Sequence, residues 1–134
     1  LVDFDADGDT DVLSGSWPGE LYFFERMANG LFAAGRPILD ENEEPINAGK
    51  ASTVFAVDWD ADDDLDLVLG DIRGNTHVVI NRGARGKHIY GKPESLALGD
   101  AIKNRGGDSG PVVADWDADG INDLIVAFGN GSVV

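Results

Sequence analysis

The run Asp58-Trp59-Asp60-Ala61-Asp62-Asp63-Asp64-Leu65-Asp66 carries an aspartate at positions 1, 3, 5, 7 and 9 of a nine-residue window. Upstream stands Asp3-Phe4-Asp5-Ala6-Asp7-Gly8-Asp9-Thr10-Asp11, and downstream Asp115-Trp116-Asp117-Ala118-Asp119-Gly120-Ile121-Asn122-Asp123. All three read D-x-D-x-D-(G/D)-x-x-D, and their first aspartates lie 55 and then 57 residues apart. With Asp at 19 of 134 positions, four fixed aspartates match by chance at roughly 4 in 10,000 starting points. Three matches at a near-constant interval are therefore an internal repeat of about 56 residues.

The repeat extends outward from the acids. A hydrophobic pair precedes each window (Leu1-Val2, Ala56-Val57, Val113-Ala114), and an apolar run follows it (Val12-Leu13, Leu67-Val68-Leu69, Leu124-Ile125-Val126). Eight residues after the last aspartate comes a glycine, namely Gly19, Gly74 or Gly131. Strand-forming segments follow at Leu21–Phe24, Thr76–Ile80 and Val133–Val134. Asn29-Gly30 and Asn81-Arg82-Gly83 read as turns, with further short strands expected at Leu31–Ala33 and His88–Tyr90. No segment carries a long capped helical period, and 18 glycines are more than helices tolerate well. Each unit therefore reads as strand, acidic loop, strand, glycine turn, strand, turn, strand. Four short antiparallel strands at this period predict an all-β fold of propeller blades.

At this point the chain resembles the FG-GAP/VCBS repeat family, known from the integrin α-subunit propeller and from bacterial surface and secreted proteins. The resemblance runs over essentially the whole chain. It implies a partial β-propeller of four-stranded antiparallel blades, about two and a half blades of a parent with about seven. The units fall at residues 1–50, 51–107 and 108–134, with loops at 3–11, 58–66 and 115–123. Only two residues precede Asp3, whereas the second unit has a first strand of about six residues at Ser52–Val57, so a longer parent chain with neighbouring blades is expected.

In that family the loop joins the first two strands of a blade and holds one Ca²⁺, which implies up to three ions here. Calcium takes six to eight oxygen ligands. Carboxylates at loop positions 1, 3, 5 and 9 and a backbone carbonyl at position 7 supply them. The sets are Asp3, Asp5, Asp7, Asp9 (carbonyl) and Asp11; Asp58, Asp60, Asp62, Asp64 (carbonyl) and Asp66; and Asp115, Asp117, Asp119, Ile121 (carbonyl) and Asp123. The second loop has Asp63 where the others have Gly8 and Gly120, a position where a sharp turn suits glycine best. That site is expected to be the weakest unless its extra charge compensates. Mg²⁺ resists dehydration and demands stricter geometry. Without cysteine, and with both histidines outside the loops, thiolate or imidazole ligation is not expected. An EF-hand is also excluded, because its loop position 12 needs a glutamate and here holds Ser14, Leu69 and Val126.

Composition narrows the partners. A formal charge of −15 opposes nucleic acid and anionic membrane surfaces, and the longest apolar stretches are far too short to insert in a bilayer. At 43% hydrophobic residues the chain supports a packed core. No nucleophile elbow, His-Glu-x-x-His or phosphate loop is present. The expected role is a non-catalytic, calcium-stabilised recognition or adhesion scaffold outside the cell: secreted, on the surface or in a periplasm. Its partner would be a protein or glycan. The alternatives are a propeller domain of a secreted carbohydrate-active lyase or hydrolase, and a lectin propeller. Phe4, Trp59 and Trp116 share loop position 2, which predicts packing between blades. Trp17, in the Trp17-Pro18-Gly19 turn where the second unit has Ile72, is read as a surface aromatic. His77 is expected half-exposed on a strand. Lys87-His88 and Tyr90 are candidates for a binding surface, with Arg82, Arg85 and Lys87 in a solvated turn. The acidic run at 40–44 is expected in a solvated loop between blades.

Overall fold

The computed structural model describes residues 1–99 and 106–134, so part of the second expected unit lies outside the described residues. Among the described residues nine strands form three sheets: β1 (Val12–Ser14), β2 (Tyr22–Phe24) and β3 (Arg36–Pro37); β4 (Thr53–Val57), β5 (Asp66–Gly70), β6 (Thr76–Val79) and β7 (Glu94–Ser95); β8 (Ser109–Ala114) and β9 (Asp123–Phe128). Neighbouring strands are antiparallel and follow chain order, so each sheet is a simple meander. Val2 bridges Asp11 ahead of β1, and Val133 bridges Ala127 beyond β9. The same three-step path is thus traced in all three sheets. Among the described residues no helix is long and apolar enough to cross a membrane.

Each acidic loop is closed by the same pair of residues. Val57 faces Asp66 and Ala114 faces Asp123 in register, and Val2 exchanges backbone hydrogen bonds with Asp11 at 3.2 and 2.8 Å. The glycine turns are likewise equivalent. Gly19, Gly74 and Gly131 all have positive φ and donate to Ser16, Asp71 and Phe128 three residues back.

The fourth strands begin later than the sequence reading placed them. Leu31–Ala33 and His88–Tyr90 are not strands; they contribute isolated bridges, Phe32 to Arg26, and Tyr90 to both Asn81 and Asp40. The edge strands are Arg36–Pro37 and Glu94–Ser95 instead. Proline has no N–H to donate, and an edge strand tolerates that loss.

Burial follows from the stacking. In β5, Leu67, Val68 and Leu69 are all at 0% exposure, because sheet two has a neighbour on both faces. Leu67 and Leu69 join Leu21, Phe23, Ile46 and Tyr90 in the core shared with sheet one. Val68 alternates to the opposite face, where Val113 and Val126 are buried.

Two junctions hold consecutive sheets together, and they use the same atoms. Ser52 N–H donates to Ser16 O at 3.1 Å while Ser16 N–H donates to Ser52 Oγ at 3.0 Å. One repeat later, Ser109 N–H donates to Asp71 O at 2.9 Å and Asp71 N–H to Ser109 Oγ at 3.0 Å. A Cβ on Gly15 would lie 2.0 Å from Ser52 O, and one on Gly70 would lie 2.1 Å from Ser109 O. Glycine is required at both places for close approach of backbone rather than for its φ. The third repeat has Ala127 at the matching position.

Candidate metal centres

The acidic loops fold alike because their carboxylates bind their own backbone. The chain reverses through two left-handed residues per loop: Ala6 and Gly8, Ala61 and Asp63, Ala118 and Gly120. The first aspartate accepts the N–H of position 6, at 3.3 Å (Asp3 to Gly8), 3.1 Å (Asp58 to Asp63) and 3.0 Å (Asp115 to Gly120). The last aspartate accepts the N–H of position 2, from Phe4, Trp59 and Trp116 at 3.0, 2.8 and 2.9 Å. Asp11 and Asp66 also accept the N–H of Arg26 and Asn81, which ties the loop to the end of the sheet's third step.

This folding brings side-chain oxygens of Asp3, Asp5 and Asp11 within 4.8 Å of one another. It does the same for Asp58, Asp60 and Asp62, and for Asp115, Asp117 and Asp123. Asp7, Asp66 and Asp119 lie in the same loops but outside these closest groups. Asp66 is wholly buried, held by its two backbone donors. The position-7 residues diverge. Asp64 is buried, the Asp9 Oδ1 is covered, and neither Oδ1 has a hydrogen-bond partner; Ile121 is 68% exposed.

Crowded carboxylates disfavour their charged forms. Burial, then the charges of Asp62, Asp66 and Asp60, push the Asp64 carboxyl up to about 6. Asp66 is raised chiefly by burial, against the pull of its two backbone donors. Asp5 is raised by burial and then by Asp11 and Asp7, and Asp9 by burial and then by Asp7 and Asp11. An all-oxygen donor set with orphaned buried oxygens fits a hard divalent cation, which removes this repulsion.

The loops differ in what surrounds them. Phe4 is buried, its ring 4.2 Å from His88 and 4.9 Å from Phe23, with Tyr90 stacked at 6.4 Å. Sheet one therefore receives its position-2 ring under a segment of the second repeat, as expected for packing between units. Trp59 is half-buried, and Trp116 is 77% exposed beside a cleft of about 400 Å³ that also contacts Ile125, Val133 and Val134. The expectation of packing between units thus fails at Trp116, where no described segment plays the part of residues 88–90.

His88 and Tyr90 are not a binding surface. Tyr90 is 1% exposed and donates its hydroxyl to Leu65 O at 2.9 Å. His88 Nε2–H donates to Phe4 O at 2.7 Å, and its Nδ1 accepts from Asn81 Nδ2 at 3.0 Å. Burial holds the imidazole below its ordinary value. Arg82, Arg85 and Lys87 are exposed as expected, but two of them reach the first repeat: Arg82 pairs with Glu41 and Arg85 with Asp3, both at 3.4 Å. Glu41, Asn42, Glu43 and Glu44 are exposed, and Asp40 folds back on the N–H groups of Asn42 and Glu44. Trp17 is 68% exposed and His77 half-exposed.

Sequence reasoning missed the left-handed alanines, the junction serines and the buried position-7 carboxylates. Two of these had a visible signal: Ala recurs at loop position 4 in every copy, and Gly-x-x-Ser precedes the first strand twice, at Gly49–Ser52 and Gly106–Ser109.

Comparison with known proteins gives one family and one group of relatives. Residues 3–69 match the FG-GAP-like repeat family. The chain is 33% identical over 133 residues to cartilage acidic protein 1 of Mus musculus, covering 96% of this chain and 20% of that protein. The same protein of Xenopus tropicalis is 33% identical over 134 residues, and that of Homo sapiens 32% over 134, with the same coverage. The chain thus spans about a fifth of the length of the curated relatives it matches.

Proposed function

The chain belongs to the FG-GAP-like repeat family, and from that premise we propose that it is a calcium-organised, non-catalytic segment of a β-propeller serving recognition or adhesion outside the cell. The observation that carries the reading is the threefold recurrence of one loop, closed by one strand pair, with three carboxylates gathered within 4.8 Å. Blades at 1–50, 51–107 and 108–134 each contribute one site. Asp3, Asp5, Asp7, Asp11 and the Asp9 carbonyl hold the first ion. Asp58, Asp60, Asp62, Asp66 and the Asp64 carbonyl hold the second; Asp115, Asp117, Asp119, Asp123 and the Ile121 carbonyl the third.

The ions are structural. Each neutralises a loop that joins the first two strands of its sheet, so binding free energy becomes folding free energy. Sites of this kind in extracellular modules have dissociation constants of about 10⁻⁴–10⁻³ M, useful where calcium is abundant. The relatives are named cartilage acidic protein 1, which agrees with a charge of −15 and an extracellular setting. A protein or glycan partner would be met by the turns, of which the one bearing Trp17 is the most exposed aromatic example in the first sheet.

The test is the thermal melt of this chain in excess Ca²⁺, in excess Mg²⁺ and in EDTA. A midpoint raised by Ca²⁺ and little by Mg²⁺ is the expected result. A cooperative melt identical in all three refutes the calcium reading.

A further inference from the structure

We infer that Asn130 is an acceptor for N-linked glycan when this chain passes through a secretory compartment. The inference takes from the proposed function only the setting outside the cell, and it does not depend on the cation loops. Of the eight asparagines in the sequence, Asn130 is the only one followed two residues later by serine or threonine, in Asn130-Gly131-Ser132. That tripeptide, with any middle residue but proline, is the pattern that marks an asparagine for N-glycosylation on the surface of secreted proteins. The equivalent turns of the first two repeats carry Pro18 and Arg73 in place of Asn130, so the signal belongs to the third repeat alone.

Such tripeptides also arise by chance, and the geometry distinguishes this one. It forms the turn between β9 and the segment that returns to β9 through Val133. Gly131 N–H donates to Phe128 O at 2.8 Å, and Gly131 takes φ 85, which glycine adopts without strain. Asn130 and Gly131 are exposed, and Ser132 is half-buried. The Asn130 Oδ1 accepts two hydrogen bonds from Ser132, from N–H at 2.9 Å and from Oγ–H at 2.7 Å. Two donors on one branch of the amide identify that branch as the oxygen, and Nδ2 occupies the other. A Cβ at position 106 would lie 3.2 Å from Nδ2; glycine there keeps a side chain off the nitrogen to be modified.

The co-reactant is an oligosaccharide linked through a diphosphate to a lipid. A bond forms between Asn130 Nδ2 and the sugar C1 as the C1–O bond to the diphosphate breaks. The diphosphate leaves with the bonding electron pair, the amide gives up one proton, and nothing is oxidised or reduced. Nδ2 keeps its second N–H. Because β9 runs from Asp123 to Phe128, the turn lies on the order of 20 Å from the third acidic loop, at the opposite end of the sheet. A glycan there leaves the acidic loops uncovered and stands on the same rim as the Trp17 turn.

The test is to secrete the chain from a eukaryotic cell line behind a cleavable signal peptide and to weigh it before and after peptide-N-glycosidase. Wild type is expected to carry a mass excess that the enzyme removes, with peptide mapping placing it on Asn130. Ser132→Ala abolishes the excess, and Ser132→Thr, which preserves the hydroxyl, retains it. Leu31→Thr places the same signal at the exposed Asn29-Gly30 turn and is the control that the host modifies this chain. A wild-type chain without removable glycan overturns the inference, and glycan on Leu31→Thr in the same run traces the failure to the third turn itself. An excess that survives Ser132→Ala overturns it too. Melts of the secreted wild type in Ca²⁺ and EDTA report separately on the calcium reading. Glycan without a midpoint shift overturns that reading and leaves this inference standing, and a shift without glycan does the reverse.

Discussion

Gly70→Ala is expected to be among the most damaging single-methyl additions in this chain. The new Cβ would sit 2.1 Å from Ser109 O and 2.6 Å from Ser109 Oγ, against a contact limit above 3 Å. The nearest atom is backbone, so no side-chain rotation relieves the clash. Sheet three has to withdraw from sheet two by about an ångström. That separation lengthens both hydrogen bonds of the junction, Ser109 N–H to Asp71 O and Asp71 N–H to Ser109 Oγ, each contributing about 1 kcal/mol. With strain and lost packing around Val68 added, the total is about 3 kcal/mol. For a chain of this size that lowers the melting midpoint by about 10 °C. Calcium-saturated melts followed by circular dichroism measure it. Ala127→Gly is the control: the third repeat already carries the methyl at the equivalent place, so its removal changes stability by about 1 kcal/mol or less. A Gly70→Ala midpoint within 2 °C of wild type, which amounts to about 0.5 kcal/mol, refutes the close-approach argument.

Beyond the melts in Ca²⁺, Mg²⁺ and EDTA, two further outcomes are expected. Asp63 holds φ 78 where the other loops use glycine, so Asp63→Gly raises the EDTA midpoint by the equivalent of about 0.5–1 kcal/mol; an unchanged or lower midpoint contradicts the strain argument. His88 is held below its ordinary value, so its contribution is full above pH 6.5. As pH falls below that value, the unfolded chain takes up a proton that the folded chain resists, and stability declines. Calcium-saturated melts between pH 7.5 and 5.5 are expected to show this loss in wild type and to lack that component in His88→Gln; parallel profiles would remove His88 from the account.

The strands that follow each loop, the glycine turns and the loops themselves were legible in the chain. Their causes are local: alternating apolar runs, positive φ at Gly19, Gly74 and Gly131, and aspartates that fold back onto N–H groups two to seven residues away. Such interactions recur wherever the same short pattern recurs, so three copies of the pattern amount to three copies of the loop. The fourth strands were misplaced because Leu31–Ala33 and Arg36–Pro37 have similar local preferences. Pairing with β2 selects the second, through Tyr22 with Pro37 and Phe23 with Arg36, 15 and 13 residues apart.

Tertiary packing decided the rest, because it depends on atoms that sequence distance hides from one another. Phe4 and Trp116 hold the same place in their repeats, yet one is buried and the other exposed; the difference is His88, 84 residues along the chain from Phe4. Gly15 and Gly70 look like ordinary strand glycines until Ser52 and Ser109 arrive against them. Asp9, Asp64 and Ile121 share one loop position and one backbone role. Their surroundings differ: the Oδ1 atoms of Asp9 and Asp64 are covered and without a hydrogen-bond partner, while Ile121 is exposed. A repeating sequence thus specifies repeating local structure, and the three acidic loops become unequal only when the repeats pack against different neighbours.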